Sequence, residues 1–268
     1  MGIDQRVRTW ANAYNRDGYV GGVPILTESE AQEHRAAMEW AENQLGASMH
    51  YKSKAHTILT SPYKLATHPL MLDLIEALIG PDILLYNVTY IIKEPGSTSH
   101  VSWHQDLTYW GLSHDDQVSA WLALSPADEE SGCMRMLPGS HANGVMSHET
   151  TEDDDNVLLQ GQTVLGVDES KAKLCPLRPG EASFHHGWTL HASMPNKSKD
   201  RRIGLNIQYL AAHVRQTKHD LDTAMLVRGE DNFGHFGIDT PAESDLDPVA
   251  VHRQIELEQR HVEIAGTA

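Results

Sequence analysis

A histidine and an aspartate stand two residues apart in SWHQDLTYW (102 to 110), and His104 and Asp106 supply the imidazole and carboxylate donors that suit a divalent iron ion. The stretch reads as a buried strand, where side chains at i and i+2 share a face, so His104 and Asp106 would project together and Gln105 away from them. A set of two histidines and one carboxylate leaves coordination positions open for other ligands, and its third donor must come from elsewhere. Taken alone, the pair has two readings: half of a metal site, or an ordinary polar pair on a strand surface. With 17 histidines in the chain, only spacing can separate them.

The segment GEASFHHGWTLHASMPNKSKDRRIGLNIQYL (180 to 210) offers His185, His186 and His191 as third donors. His191 has the best case, because Arg202 follows at the start of an alternating strand, RIGLNIQY. There Arg202, Gly204, Asn206 and Gln208 share one face, too polar for a core strand unless it lines a cavity. An arginine's planar fork matches a carboxylate bidentately, so Arg202 suits a clamp on a ligand carboxylate. Arg201 would point to the opposite face. His185 and His186 read as ordinary neighbours on a strand and turn, and PGSH at 138 to 141 as a turn in which His141 is no ligand.

The elements that must position these residues change character along the chain. TESEAQEHRAAMEWAENQLGA opens with Thr27 and Glu30 in a capping-box relation and reaches a stop at Gly46, which predicts a helix. HPLMLDLIEALIGPD predicts a second, with Pro69 in its first turn, Leu70, Leu74, Ala77 and Leu78 on one face, and Gly80-Pro81 at its end. From residue 83, ILLYNVTYIIK, QVSAWLALS, GCMRMLPGS, KLCPLRP, ASFHHGW and RIGLNIQYLAA are short, rich in β-branched or aromatic residues, and separated by turn formers. An all-β core therefore follows a helical N-terminal part. The acidic HETTEDDDNVLLQGQTV (148 to 164) reads as a surface loop, and DPVAVHRQIELEQRHVE as a mostly exposed helix. HYKSKAHTILTSPYK (50 to 64) alternates Lys52, Lys54 and His56 on one strand face, by default a solvated one. The sharper reading has one of these lysines, or Tyr63, meeting an anionic group.

With these pieces in order, the chain resembles the phytanoyl-CoA dioxygenase family of iron(II)- and 2-oxoglutarate-dependent oxygenases. WHQDLTYWG (103 to 111), SAWLALSPADEESGCMRMLPGSH (119 to 141), LHASMPNKSKDRRIGLNIQY (190 to 209) and IIKEPGS before the histidine–aspartate pair carry the resemblance, across roughly residues 60 to 212. It implies a mainly β protein with flanking helices, a double-stranded β-helix (jelly-roll, cupin-like) forming one domain over 1–268. That domain divides into a helical N-terminal part at about 1–80, the β-helix at about 83–212 and an extension at 213–268. It implies that His104, Asp106 and His191 bind iron(II), that Arg202 holds the distal carboxylate of 2-oxoglutarate, and that dioxygen is the other cosubstrate. Ser193 and Asn87 match positions that contact the cosubstrate in relatives, and Trp121 falls where the family has an aromatic wall. Trp110 and Tyr109, just past the pair, are expected on the substrate side, together with Lys54. Because Asp106 is retained where halogenating relatives carry a small residue, hydroxylation is implied, or desaturation or ring closure begun the same way.

Composition bounds the partners. A formal charge of −16 opposes nucleic acid and anionic membranes. Cys133 and Cys175 have no metal or disulfide spacing and read as buried, idle thiols in a reducing compartment. The N-terminus has no signal-peptide core and no long apolar run follows, so a cytoplasmic monomer or homodimer acting on a small molecule is expected. A small polar metabolite is preferred over an acyl-CoA for want of a long basic tract. A phosphonate, an acyl-CoA or a secondary metabolite is the alternative substrate, and a non-catalytic metal-binding sensor or sugar-binding module the alternative class.

Overall fold

The computed structural model describes residues 3–158 and 161–266. Helix α1 (Ile3–Asp17) and strand β1 (Tyr19–Pro24) precede α2 (Glu28–Leu45). The capping box forms as expected: Thr27 accepts from the Glu30 backbone, and the Glu30 carboxylate accepts from Thr27 N at 2.7 Å. Gly46 ends the helix in the left-handed region. α3 (Thr60–Ala66) and α4 (Pro69–Ile79) follow. The buried residues of α4 are Met71, Leu72, Leu74 and Ile75, and of the predicted face Ala77 is exposed. The helix packs among α1, α3 and the sheet, which turns Met71 and Ile75 inward. α1 was not anticipated, although Val7, Ala11 and Tyr14 stand at helical spacing and all enter the core.

The strands are β2 (Ile83–Lys93), β3 (Val101–His104), β4 (Gln117–Ala123), β5 (Met134–Met136), β6 (Lys173–Cys175), β7 (Glu181–His186), β8 (His191–Ser193), β9 (Arg202–Ala211), β10 (Thr223–Arg228) and β11 (Gly237–Ile238). Between β3 and β4 lies the one-turn helix α5 (Leu107–Trp110), and α6 (Pro248–Gly266) closes the described chain. A seven-stranded sheet runs β1-β7-β4-β9-β2-β10-β11 and a four-stranded sheet β3-β8-β5-β6. This is the expected jelly-roll, with two corrections to its boundaries. The N-terminal part contributes β1 to the larger sheet, and the extension after residue 212 contributes β10 and β11, because both edges of the sheet needed partners for their backbone groups.

The faces of the larger sheet divide the labour. Along β9, Ile203, Leu205, Ile207 and Tyr209 enter the helix-covered core, while Arg202, Asn206 and Gln208 line a cavity between the sheets. β4 alternates likewise, with Val118, Ala120 and Leu122 in the core and Trp121 on the cavity. In β2, Leu85 pairs with Tyr209 but Asn87 with Gln208, so Tyr86 is an extra residue. This bulge reverses the alternation and turns Asn87, Thr89 and Ile91 to the cavity. Gly204 belongs there for a steric reason: a Cβ would lie 1.9 Å from the Trp121 ring, so the indole lies directly on the strand backbone.

Two peripheral segments also reach inward. The acidic 148–164 stretch, expected at the surface, buries Asn156 and Val164 and sets Val157 and Leu158 against the cavity, its Leu159 and Gln160 lying outside the described residues. Asn156 explains why, since its amide donates to Ser102 Oγ (2.8 Å) on β3. α6 is helical as expected, yet it buries Gln254, Leu257 and Ile264 and offers His261, Val262 and Ala265 to the same cavity. No helix among the described residues is long and apolar enough to cross a membrane.

Candidate metal centre

His104, Asp106 and His191 face the cavity of about 400 Å³ together, with one potential ligand atom from each within 4.8 Å of the others. His104 ends β3, His191 begins β8, and the two are register partners whose ring centroids lie 4.0 Å apart. Asp106 is not on the strand. β3 stops at His104, and Asp106 takes helical angles (φ −57°, ψ −44°) at the start of α5. The turn, rather than strand alternation, brings its Oδ1 to 3.5 Å from His104 Nε2 and 3.7 Å from His191 Nε2. Gln105 points away, but into protein: its amide donates to Gly144 O and Trp188 O (2.8 Å each) and accepts from Met146 N (2.7 Å).

Hydrogen bonds prepare each donor. His104 Nδ1 lies 2.9 Å from Ser102 O and His191 Nδ1 3.0 Å from Thr189 O. A carbonyl only accepts, so each ring carries a proton on Nδ1 and turns its Nε2 toward the cavity. Asp106 Oδ2 accepts from Ser119 Oγ (2.7 Å), which in turn accepts from Gln117 Nε2 (3.0 Å). His185 Nε2 lies 3.2 Å from the same oxygen, so Oδ1 is left for the centre. His185 is thus no idle neighbour, correcting the sequence expectation: strand β7 alternates, and its Ser183 and His185 turn from the core that takes Ala182 and Phe184. His186 does fit the bland reading, accepting from Trp188 N at 3.0 Å. Burial works against the Asp106 carboxylate, yet bonds to His104 and His185 hold it well below the usual range. Burial, with His104 and His185 nearby, keeps His191 neutral. Two imidazoles and one carboxylate fit a divalent cation.

Arg202 lies on the cavity's other side, 1 % exposed. Its Nη1 donates to Gly132 O at 2.5 Å, its guanidinium stands 5.2 Å from the Trp121 ring centroid, and its buried Nε has no partner. Burial pushes it down to about 10, still protonated at neutral pH. Arg201 points the other way, to Glu42 (2.8 Å) and Glu94 (2.9 Å). Ser193 lines the cavity, and Lys93 Nζ donates to its Oγ at 2.8 Å, which leaves the hydroxyl proton free to be donated inward. Trp121, Asn87, Tyr109 and Trp110 also line the cavity.

Lys54 does not. Its backbone is left-handed (φ 58°), no strand forms around it, and its amine is buried with Thr223 O (2.7 Å), Asp239 Oδ2 (3.0 Å) and Tyr86 O. His56 is buried as well, so the predicted strand face of Lys52, Lys54 and His56 is corrected. Tyr51 and Ser53 line the cavity in their stead. Alternating polar residues in QVSAWLA and EASFHH could have revealed Ser119 and His185. Nothing local marks Tyr51, Ser53 or His261.

The phytanoyl-CoA dioxygenase (PhyH) family model matches residues 14–204. A probable alpha-ketoglutarate-dependent hypophosphite dioxygenase of Stutzerimonas stutzeri is 33% identical over 144 residues, 53% of this chain and 50% of that protein. Human peroxisomal phytanoyl-CoA dioxygenase is 28% identical over 155 residues, 56% of this chain and 46% of that protein. The chain spans about half the length of these curated relatives. The solved structure of the apo non-heme monooxygenase ThoJ superposes with a TM-score of 0.83 at 29% identity, covering 94% of this chain and 97% of that one.

Proposed function

The chain belongs to the phytanoyl-CoA dioxygenase family, and from that premise we propose that it is an iron(II)- and 2-oxoglutarate-dependent dioxygenase hydroxylating an unactivated C–H bond of a small polar metabolite. One observation carries the reading: two imidazoles and a carboxylate converge on a cavity that also holds a buried arginine without a counter-anion. His104 Nε2, Asp106 Oδ1 and His191 Nε2 would hold the iron. Arg202 would take the distal carboxylate of 2-oxoglutarate, with the Ser193 hydroxyl as a second donor. When bound, the iron supplies activation of dioxygen at the expense of 2-oxoglutarate, which leaves as succinate and carbon dioxide.

The chain's own share is placement and exclusion of water. His104 and His185 keep Asp106 ionised, Ser119 and His185 fix its orientation, and the two carbonyl-bound imidazoles cannot rotate without losing a hydrogen bond. Trp121 backs the arginine, while Ile91, Val101, Met134 and Ala192 give the cavity apolar walls. Tyr109, next to His104, and Trp110 flank the substrate side. The retained Asp106 favours hydroxylation over halogenation. A non-catalytic metal module has no use for Arg202. The whole chain acts as one domain in this reading, since β1, β10 and β11 join the sheet that carries the site.

Purified protein with iron(II) should convert 2-oxoglutarate to succinate, coupled to one member of a metabolite panel. His104→Ala and Asp106→Ala should abolish succinate formation while the melting temperature without metal stays within a few degrees of wild type. If the wild type forms no succinate with any candidate and prefers zinc, the oxygenase reading fails.

A further inference from the structure

We propose that the cavity wall level with the metal donors recognises an uncharged, hydrogen-bonding part of the substrate, through the amides of Asn87, Asn206 and Gln208 and through His261 of α6. The proposal rests on the oxygenase reading above and adds a substrate class and a recognition element. α6 lies beyond residues 14–204, the part that matches the family.

Placement comes first. Asn87 pairs with Gln208, Thr89 with Asn206 and Lys93 with Arg202, so β2 and β9 carry a graded row of side chains. Gln208 is roughly 20 Å along the strand from Arg202. On its other side Gln208 pairs with Ser119, the residue bonded to Asp106. Gln208 and its partner Asn87 are therefore at the end of the row near the metal donors, and Asn206 stands between them and the arginine.

Their hydrogen-bonding state follows from neighbours. The Lys54 N–H donates to Asn87 Oδ1 at 2.7 Å, which fixes the orientation of that amide. Asn87 Nδ2 therefore faces His261 Nε2, 3.4 Å away, and can only donate to it. The His261 proton is then on Nδ1, an atom shielded from solvent with no partner. Burial also keeps this imidazole neutral. Asn206 Oδ1 and Gln208 Oε1 are likewise buried and unpartnered. One donor and two acceptors thus stand unpartnered on residues of a wall that also carries Trp110. α6 is held at this rim by Gln254, which donates to Ser53 O at 2.7 Å, and by Glu258, 3.4 Å from Lys52.

Charge excludes the alternatives. The metal dication, Asp106, the two carboxylates of 2-oxoglutarate and Arg202 together carry no net charge. Among the described residues no other Asp, Glu, Lys or Arg lines the cavity. A phosphinate, carboxylate or ammonium on the substrate would be buried there without a counter-charge, whereas an amide or hydroxyl would satisfy the waiting groups.

The test uses protein loaded with zinc(II), which is redox-inert, and saturating 2-oxoglutarate. Binding of cyclopentanecarboxamide, cyclopentanecarboxylate and cyclopentylamine, three probes on one skeleton, is followed by ligand-observed NMR. The carboxamide should bind about tenfold or more tightly than either charged probe. His261→Ala, and His261→Phe, which keeps the bulk of the ring, should each weaken it by about tenfold, with 2-oxoglutarate affinity unchanged. Equal or tighter binding of a charged probe, no binding of the carboxamide, or no loss in the folded His261 variants would overturn the proposal and leave the oxygenase reading standing. Failure of 2-oxoglutarate to bind the metal-loaded protein would overturn both.

Discussion

Lys54 and Arg202 are cations each 1 % exposed, yet their surroundings set them apart. Around Lys54 every donor has an acceptor: Tyr86 O, Thr223 O and the Asp239 carboxylate, itself buried. Arg202 has a backbone carbonyl and the face of Trp121, and among the described residues no carboxylate within ion-pair distance. A buried charge that the protein satisfies itself is architecture. One that it leaves without a counter-ion keeps a desolvation cost that a ligand would offset, which is why Arg202 is the anion site we propose.

The largest expected effect breaks the closed cluster. Lys54→Met strands Asp239 as a buried, unpaired carboxylate, so urea denaturation should report a loss of about 3–5 kcal/mol, while 2-oxoglutarate affinity of the folded fraction holds. A loss below about 1 kcal/mol would mean the two cations are not different in kind. Arg202→Leu should do the reverse. Stability without ligands should stay level or rise, and calorimetry with metal and 2-oxoglutarate should show binding weaker by about thirtyfold or more, the equivalent of at least about 2 kcal/mol. Unchanged 2-oxoglutarate binding would move the clamp elsewhere.

At neutral pH the smallest effect, visible as a slope rather than a loss, sharpens the closed side. His56 lies 4.0 Å from Asp239, both its ring nitrogens are buried without partners, and burial pushes it down to about 3. Its folded value is below its unfolded one, so the unfolded chain takes up the proton first. The stability from the neutral ring is complete above pH of about 6.5 and is lost as pH falls toward about 3, at up to about 1.4 kcal/mol per pH unit. In His56→Leu the slope of stability against pH over this window should fall by about one proton. An unaltered slope would place the acid sensitivity in other groups.

Much of the site was legible because its residues stand on regular elements. The alternation of RIGLNIQY assigned Arg202 and Arg201 to opposite faces, and the structure agrees. His104 and Asp106 were grouped correctly for a partly wrong reason, since the strand ends one residue after Trp103 and a turn does the rest. Asn87 faces the cavity only because a bulge at Tyr86 reverses the count, and a bulge depends on the partner strand. Lys54 is not on the cavity because a left-handed backbone and a short turn stand where the alternation of its neighbours predicts a strand.

Local spacing determined what it physically can: the capped helix from Thr27, the two faces of β9, and the order of histidine, aspartate, histidine and arginine. Each depends on the backbone period, which the residue order carries by itself. Partnership was decided by tertiary structure. Whether a buried cation meets a carboxylate or the wall of a cavity, whether His185 reaches Asp106, and whether α6 turns His261 inward all depend on chain segments up to 185 residues apart. Hydrogen bonds and desolvation act at contact range, and only the folded chain says which groups are in contact.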